Sequence, residues 1–243
     1  MTIPASQKIT TVYLIPNELA EGTADKYIPE IVKETLLSLR VIFCEDARTT
    51  RRFIGKLLRG KITVEEYSLF ELTKNTTDQQ LTEQINQLEA SCAVGIISDA
   101  GCPGIADPGS LLVAWAHRHT IKVVPLPGPS SILLSIMASG LNGQSFAFNG
   151  YLPIDRIERK KKIKELERIS RLTKQTQLFI ETPYRNDKML DDLIEVCDQS
   201  TLLMVSADLT GQTEEIISKP VSKWKKGGLV LGKRPAMFGF LAV

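Results

Sequence analysis

The sequence predicts an α/β protein of two domains, and three observations carry that reading. Short apolar runs alternate with amphipathic helical patterns along the 243 residues, the signature of a largely parallel sheet. Several of those runs feed directly into stiff loops rich in glycine and proline. One such loop, Pro125–Pro129, interrupts the alternation, and beyond Pro153 the composition turns basic, which places a domain boundary between residues 1–125 and 126–243.

Taken in order, Thr11–Ile15 is the first strand and Tyr27–Leu39 a helix with Pro29 tolerated in its first turn. Val41–Cys44 is a short apolar strand, Thr49–Leu58 a helix, Ile62–Tyr67 another strand, and Asp78–Ala90 a helix capped by Asp78. Ala93–Ser98 is a buried strand, Leu111–His119 a helix and Ile121–Pro125 the next strand. A helix over Ser130–Ser139 ends at Gly140, which suits the left-handed turn that closes helices. Arg156–Arg171 holds eight basic residues against three acidic ones. Gln177–Glu181 and Leu202–Ala207 are strands flanking a helix over Asn186–Cys197, and shorter strands joined by turns follow Glu214. No internal repeat appears.

Composition narrows the function classes. Hydrophobic residues at 43% and charged residues at 24% are ordinary for a globular protein, and a net charge of +2 means that any basic surface is local. The stretch MTIPASQKITTVYLI lacks an apolar core followed by a small-residue cleavage site, and no apolar run is long enough to span a bilayer. A cytoplasmic location and no membrane partner are therefore expected. The cysteines Cys44, Cys92, Cys102 and Cys197 are scattered and read as reduced thiols. His117 and His119 lie two apart on a helical pattern and point to different sides, so no metal site is expected.

Familiar nucleotide motifs fail. No GxGxxG turn is present, and Gly227–Lys233 resembles a P-loop only until Arg234, which stands where a magnesium-binding Ser or Thr is required. Three other segments are informative. Gly95–Gly109 runs a buried strand into a loop holding Gly101, Gly104, Gly109, Pro103 and Pro108, where backbone can approach a ligand closely; the plainer alternative is a strand-to-helix connection with Asp107 capping the helix. Val123–Ser131 ends a strand in a Pro/Gly loop, with Ser130 and Ser131 at a helix start as ligand contacts or as a simple N-cap. Cys44–Arg52 gathers Glu45 and Asp46 beside Arg48, Arg51 and Arg52, either as proton acceptor and phosphate holders or as a solvated helix start.

In the order of the chain, CEDARTTR, SDAGCPGIADPG, VVPLPGPSS, ASGL, FNGYLP, FIETPYR and LTGQTEE resemble the tetrapyrrole (corrin/porphyrin) methylase superfamily, most closely its branch that 2′-O-methylates a cytidine ribose of 16S ribosomal RNA. The resemblance implies two α/β domains, usually dimerised, with S-adenosylmethionine held in the cleft between them. By the same resemblance Leu19, Gly101, Cys102, Pro103, Ile105, Ser130, Ser131 and Thr182 would contact the cofactor. Ribosomal RNA or the small ribosomal subunit would be the partner, with a homodimer as the assembly and a tetrapyrrole-like or other small acceptor as the alternative substrate. Two departures stand out: Pro16–Gly22 replaces the branch's usual TPIGNL, and Cys102 replaces a threonine.

Methyl transfer of this kind needs neither metal nor covalent intermediate. It needs the acceptor aligned at about 3–3.5 Å and, for a neutral hydroxyl, a base. Asp46 or Glu45 is the candidate base, Arg48 or Arg51 the phosphate holder, and Arg156–Arg171 either a second RNA contact or a solvated amphipathic helix.

Overall fold

The computed structural model describes residues 5–243; residues 1–4, the start of the stretch MTIPASQKITTVYLI, lie outside them. The chain divides into two compact units, Met1–Pro129 and Ser130–Val243.

The first unit opens with a short helix α1 (Ala5–Lys8) and strand β1 (Ile9–Ile15). It continues through α2 (Ala24–Tyr27), α3 (Glu30–Ser38), β2 (Val41–Cys44), α4 (Ala47–Leu57), β3 (Ser68–Glu71), α5 (Asp78–Asn86), β4 (Cys92–Ile97), α6 (Ser110–Arg118) and β5 (Lys122–Pro125). Its five strands run parallel in the order β3-β2-β4-β1-β5. Both faces are covered, which is why the central strands read as continuous apolar runs: Val12, Ile15, Ile42, Phe43, Val94 and Ile96 are all buried. Each such side chain contributes about 1.5–3 kcal/mol by leaving water. The connections from β1 and β4 leave in opposite directions, toward β2 and β5, so the carboxyl ends of this central pair form the switch point where open α/β sheets bind ligands.

The second unit comprises α7 (Ser131–Ser139), β6 (Phe146–Tyr151), α8 (Arg156–Thr173), β7 (Thr176–Ile180), α9 (Asn186–Val196), β8 (Leu202–Ala207), β9 (Glu215–Pro220) and β10 (Ala236–Leu241). Its sheet runs β6-β7-β10-β8-β9, parallel only between β6 and β7. The expected parallel character therefore holds in the first unit and fails in most of the second, where β10 runs antiparallel to both β7 and β8, and β9 antiparallel to β8. The core here is built on Phe179 stacked with Phe238 and edge-on to Phe240.

Three further expectations are corrected. The helix expected over Tyr27–Leu39 is two helices, because Ile28 and Pro29 are extended; proline excludes its predecessor from helical backbone. The strand expected over Ile62–Tyr67 is instead a 3₁₀ turn, Val64–Glu66, closed by a reciprocal cap between Thr63 and Glu66, with β3 beginning only at Ser68. Asp78 is the first helical residue of α5 and Thr77 its cap, with Gln80 returning the bond. Among the described residues, no helix is long and apolar enough to cross a membrane.

Candidate active site

The loops leaving β1, β2, β4 and β5 gather at the carboxyl end of the first sheet. Asn17, buried immediately after β1, ties two of them together. It exchanges backbone hydrogen bonds with Gly101 (2.8 and 3.2 Å), and its amide Nδ2 donates to the carbonyls of Ser98 and Asp99, each at 3.0 Å. Glu18 then accepts from the amides of Thr23 and Ala24, fixing the start of α2. The unusual sequence Pro16–Gly22 is thus a structured loop with Leu19 half-buried beside Gly101. A Cβ on Gly101, whose φ is +70°, would come within 3.2 Å of Leu19 Cδ2. Gly128 lets the loop after β5 press on Pro16, since a Cβ there would lie 2.2 Å from the proline Cβ.

Within the loop 98–109, Asp107 is an internal strut and not the cap of α6. Its carboxylate accepts from the amides of Ile105 (3.0 Å) and Gly109 (2.7 Å), while Gly109 occupies the position before the helix. Ala106 holds a left-handed φ of 60° without being glycine, a conformation that costs on the order of 1 kcal/mol and persists only where surroundings enforce it. Pro103 is buried, Cys102 half-buried with its thiol near the Pro129 carbonyl at 3.5 Å, and Ile105 is 50% exposed. Burial raises the Cys102 thiol pKa, so this side chain is a neutral thiol where the related branch carries a hydroxyl.

Carboxylates crowd the root of this loop. Burial foremost, then the charge of Asp99, pushes the Glu45 pKa up; Asp107 and Asp46 add to it. Asp99 is itself raised by burial, then by Asp46 and Asp107. Asp46 behaves oppositely. Its side chain caps α4 by accepting from Thr49 N at 2.6 Å, and that bond holds its pKa below the usual value. The two neighbours weighed as bases are therefore unlike: Asp46 is engaged in the fold, while Glu45 has only a long 3.5 Å contact from Asp99 N. Arg48 and Arg51 are exposed on α4. Among the described residues, no group of three or more His, Cys, Asp or Glu side chains is placed to hold a metal ion.

In the second unit, Ser130 is the N-cap of α7, accepting weakly from Leu133 N at 3.4 Å, and Ser131 begins the helix. Thr182 follows β7 and donates through its amide (2.6 Å) and hydroxyl (3.2 Å) to Glu181 Oε1, which also accepts from Arg185. The other oxygen of this buried carboxylate, Oε2, makes no hydrogen bond among the described residues.

Asn17 and Asp99 carry no role in the sequence reading. Asp99 had a legible signal, a carboxylate at a strand end two residues before a glycine; Asn17 had none, because its partners lie about 80 residues away.

A model of the Tetrapyrrole (Corrin/Porphyrin) Methylases matches residues 23–224. The chain is 32% identical over 241 residues to a Ribosomal RNA small subunit methyltransferase I of Vibrio cholerae, covering 95% of this chain and 78% of that protein. It is 35% identical over 189 residues to a protein of the same name from Borrelia garinii, covering 77% and 80%. Among solved structures, the fold is similar to the methyltransferase CobJ (TM-score 0.61, 15% identity, 97% of this chain and 94% of that one). It is also similar to uroporphyrin-III C-methyl transferase from Thermus thermophilus complexed with S-adenyl homocysteine (TM-score 0.54, 14% identity, 95% and 97%).

Proposed function

Since this chain belongs to the tetrapyrrole (corrin/porphyrin) methylases and is an S-adenosylmethionine-dependent methyltransferase, we propose that it methylates small-subunit ribosomal RNA, at the 2′-hydroxyl of a cytidine ribose. The observation that carries this reading is the likeness, along nearly the whole chain, to relatives named for methylating small-subunit ribosomal RNA.

The residues present suit the cofactor. The loop 98–109 contains no lysine or arginine, and Glu45 and Asp99 stand at its root, a surrounding that favours a sulfonium cation. Gly101 offers backbone without a side chain at a left-handed turn, and Leu19, Cys102, Pro103 and Ile105 supply neutral surface around it. Ser130, Ser131 and Thr182 complete the proposed set of cofactor contacts. When bound, the cofactor supplies an electrophilic methyl group on sulfur, which becomes a neutral thioether on transfer.

The chain's own contribution is proton removal and positioning. A neutral ribose hydroxyl is a weak nucleophile, and a carboxylate with a raised pKa accepts its proton more readily than an ordinary one. Glu45 fits that role better than Asp46, whose lone pairs already hold α4. Arg48 and Arg51, three and six residues further on, are the proposed phosphate holders.

The test is to map ribose methylation across small-subunit ribosomal RNA from cells with and without this protein. Loss of one 2′-O-methyl cytidine supports the reading. An unchanged map, together with S-adenosylmethionine binding by the purified chain, would move the acceptor to another molecule.

A further inference from the structure

Helix α4 reads ARTTRRFIGKL and contains no acidic residue. At 3.6 residues per turn, Arg48, Arg51, Arg52 and Lys56 fall within an arc of about 140°, opposite the buried Thr50, Phe53, Ile54 and Leu57. Arg59, exposed, follows just past the helix end. Local folding does not ask for this pattern. Arg48 sits in the first turn, where the helix dipole already places positive charge, and a cation there is unfavourable by about 0.3–1 kcal/mol. The nearest acids bond the backbone of the first turn: Asp46 accepts from Thr49 N, and Glu71 from Ala47 N at 2.9 Å. Toward the far end, Glu21 pairs with Lys56 at 2.7 Å and stands 3.9 Å from Arg52. Among the described residues, Arg48 and Arg51 make no ion pair.

We infer that this face of α4 is a track for the RNA strand flanking the acceptor nucleotide, its arginines bonding successive phosphates. The inference rests on the proposal that RNA is the acceptor. Three features specify the occupant. Guanidinium forks match phosphate oxygens two at a time, and three of the four helical cations are arginine. From Arg48 to Lys56 the track rises about 12 Å along the axis, so it follows a strand and not a single anion. It also begins three residues from Glu45, so a backbone lying on it leads to the carboxylate that takes the proton. The helix α8, richer in lysine and arginine, is excluded as an equal partner because most of its cations are paired within the second unit: Lys160 with Glu195, Lys161 with Glu158, Lys162 with Glu165, and Lys164 with Glu167 and Asp198.

The experiment measures binding and methylation of unmodified small-subunit ribosomal RNA across a salt series. It compares the full chain, the double variant Arg48→Gln/Arg51→Gln and the control Lys161→Gln/Lys162→Gln. The double variant is expected to flatten the log–log salt slope by about 1.4, roughly 0.7 for each of two phosphates. Its KM for RNA should rise about tenfold or more, while S-adenosylmethionine affinity and Tm stay as in the wild type. The control should keep the wild-type slope. A steep wild-type slope that the double variant preserves overturns the track while leaving the RNA reading intact. A wild type that turns over a small acceptor but shows no salt-dependent RNA binding overturns the RNA reading, and the track with it.

Discussion

Helices α4 and α8 both announce themselves in the sequence as basic, yet the fold treats their charges in opposite ways. On α8 nearly every cation has an acid at hand, supplied by its own i,i+3 neighbours or by α9 and the residues just after it. Arg159 is the extreme case: it is 5% exposed, donates through Nε (3.0 Å) and Nη2 (2.6 Å) to the buried Asp192, and bonds the carbonyls of Pro153 and Ile154. On α4 the arginines nearest the site make no ion pair among the described residues, and the acids nearest them are engaged with backbone or crowded against one another. Balanced charge here serves the fold, and unbalanced charge marks the surface free to act on a ligand. A count of lysines and arginines along a segment therefore says little about what the segment can bind until the positions of its counter-charges are known.

The sharpest way to break that contrast is to unbalance α8. Arg159→Ala strips Asp192 of its buried partner and leaves it only the exposed Arg156 at Oδ1, and breaking a buried pair destabilises by up to about 3–5 kcal/mol. Chemical denaturation should show a loss of that size, with cofactor affinity intact in the folded fraction. A loss under about 1 kcal/mol would mean that α8 is not held by its charges, and the distinction between the two helices would fail.

Next in size is the pair at the root of α4. Glu45→Gln keeps the shape and removes the proton acceptor, so kcat should fall about 10²-fold or more with cofactor affinity retained. Stability should move the other way. The folded pKa of Glu45 is raised, so its contribution to stability is present below the unfolded pKa and is lost as pH rises through the folded one. At neutral pH the ionised side chain thus weighs against folding, and Glu45→Gln should melt at or above the wild-type Tm. Asp46→Ala should do the reverse, losing about 1 kcal/mol through the missing cap while kcat changes little. Because the Asp46 pKa is lowered, its contribution is present above the unfolded value and disappears as pH falls through the folded one. If thermal melts and turnover instead assign catalysis to Asp46 and stability to Glu45, the roles given to the two neighbours are exchanged.

How far the sequence anticipates all this depends on the reach of each interaction. Val41–Cys44 and Leu202–Ala207 are legible to the residue, because a fully apolar run between turn signals has few other fates. The glycine and proline loop 98–109 is legible as a special connection for the same local reason. The segment 62–67 is misread because Ile62 and Val64 imitate a strand, while the Thr63–Glu66 cap competes for the backbone. Strand β6 passes unnoticed as an element: its register shifts between Phe148 and Tyr151, and Gly150 takes a φ of 63°. At the site, the sequence narrows the base to Glu45 or Asp46 and stops there. The choice turns on Thr49 N reaching Asp46 and on Asp99 approaching Glu45 from β4, and the second of these is long-range. Likewise the charge pattern of α8 is visible in the sequence, but Asp192, Glu195 and Asp198, which neutralise much of it, are brought there by tertiary structure.

The smallest expected effect is also the most specific to the crowding of carboxylates around Glu45. As the proton acceptor, Glu45 must be ionised, so kcat/KM should fall on the acid side with an apparent pKa above the ordinary carboxylate range. Asp99, Asp107 and Asp46 are the charges that raise it, with Asp99 the largest of the three and burial larger still. Asp99→Asn removes that charge and keeps the backbone amide that faces Glu45, so the acid limb should shift downward without reaching the ordinary range, since burial remains. The shift belongs to a coupled set of groups and is to be read as one macroscopic value from the full profile. Any loss in the height of the profile reports a different role for Asp99, such as contact with a ligand, and leaves the position of the limb readable. Lys161→Gln/Lys162→Gln, which removes charge only from the balanced network of the second unit, should leave the limb where it is. An acid limb that stays fixed in Asp99→Asn would show that Asp99 does not tune the proton acceptor, and would leave burial alone to account for the raised pKa of Glu45.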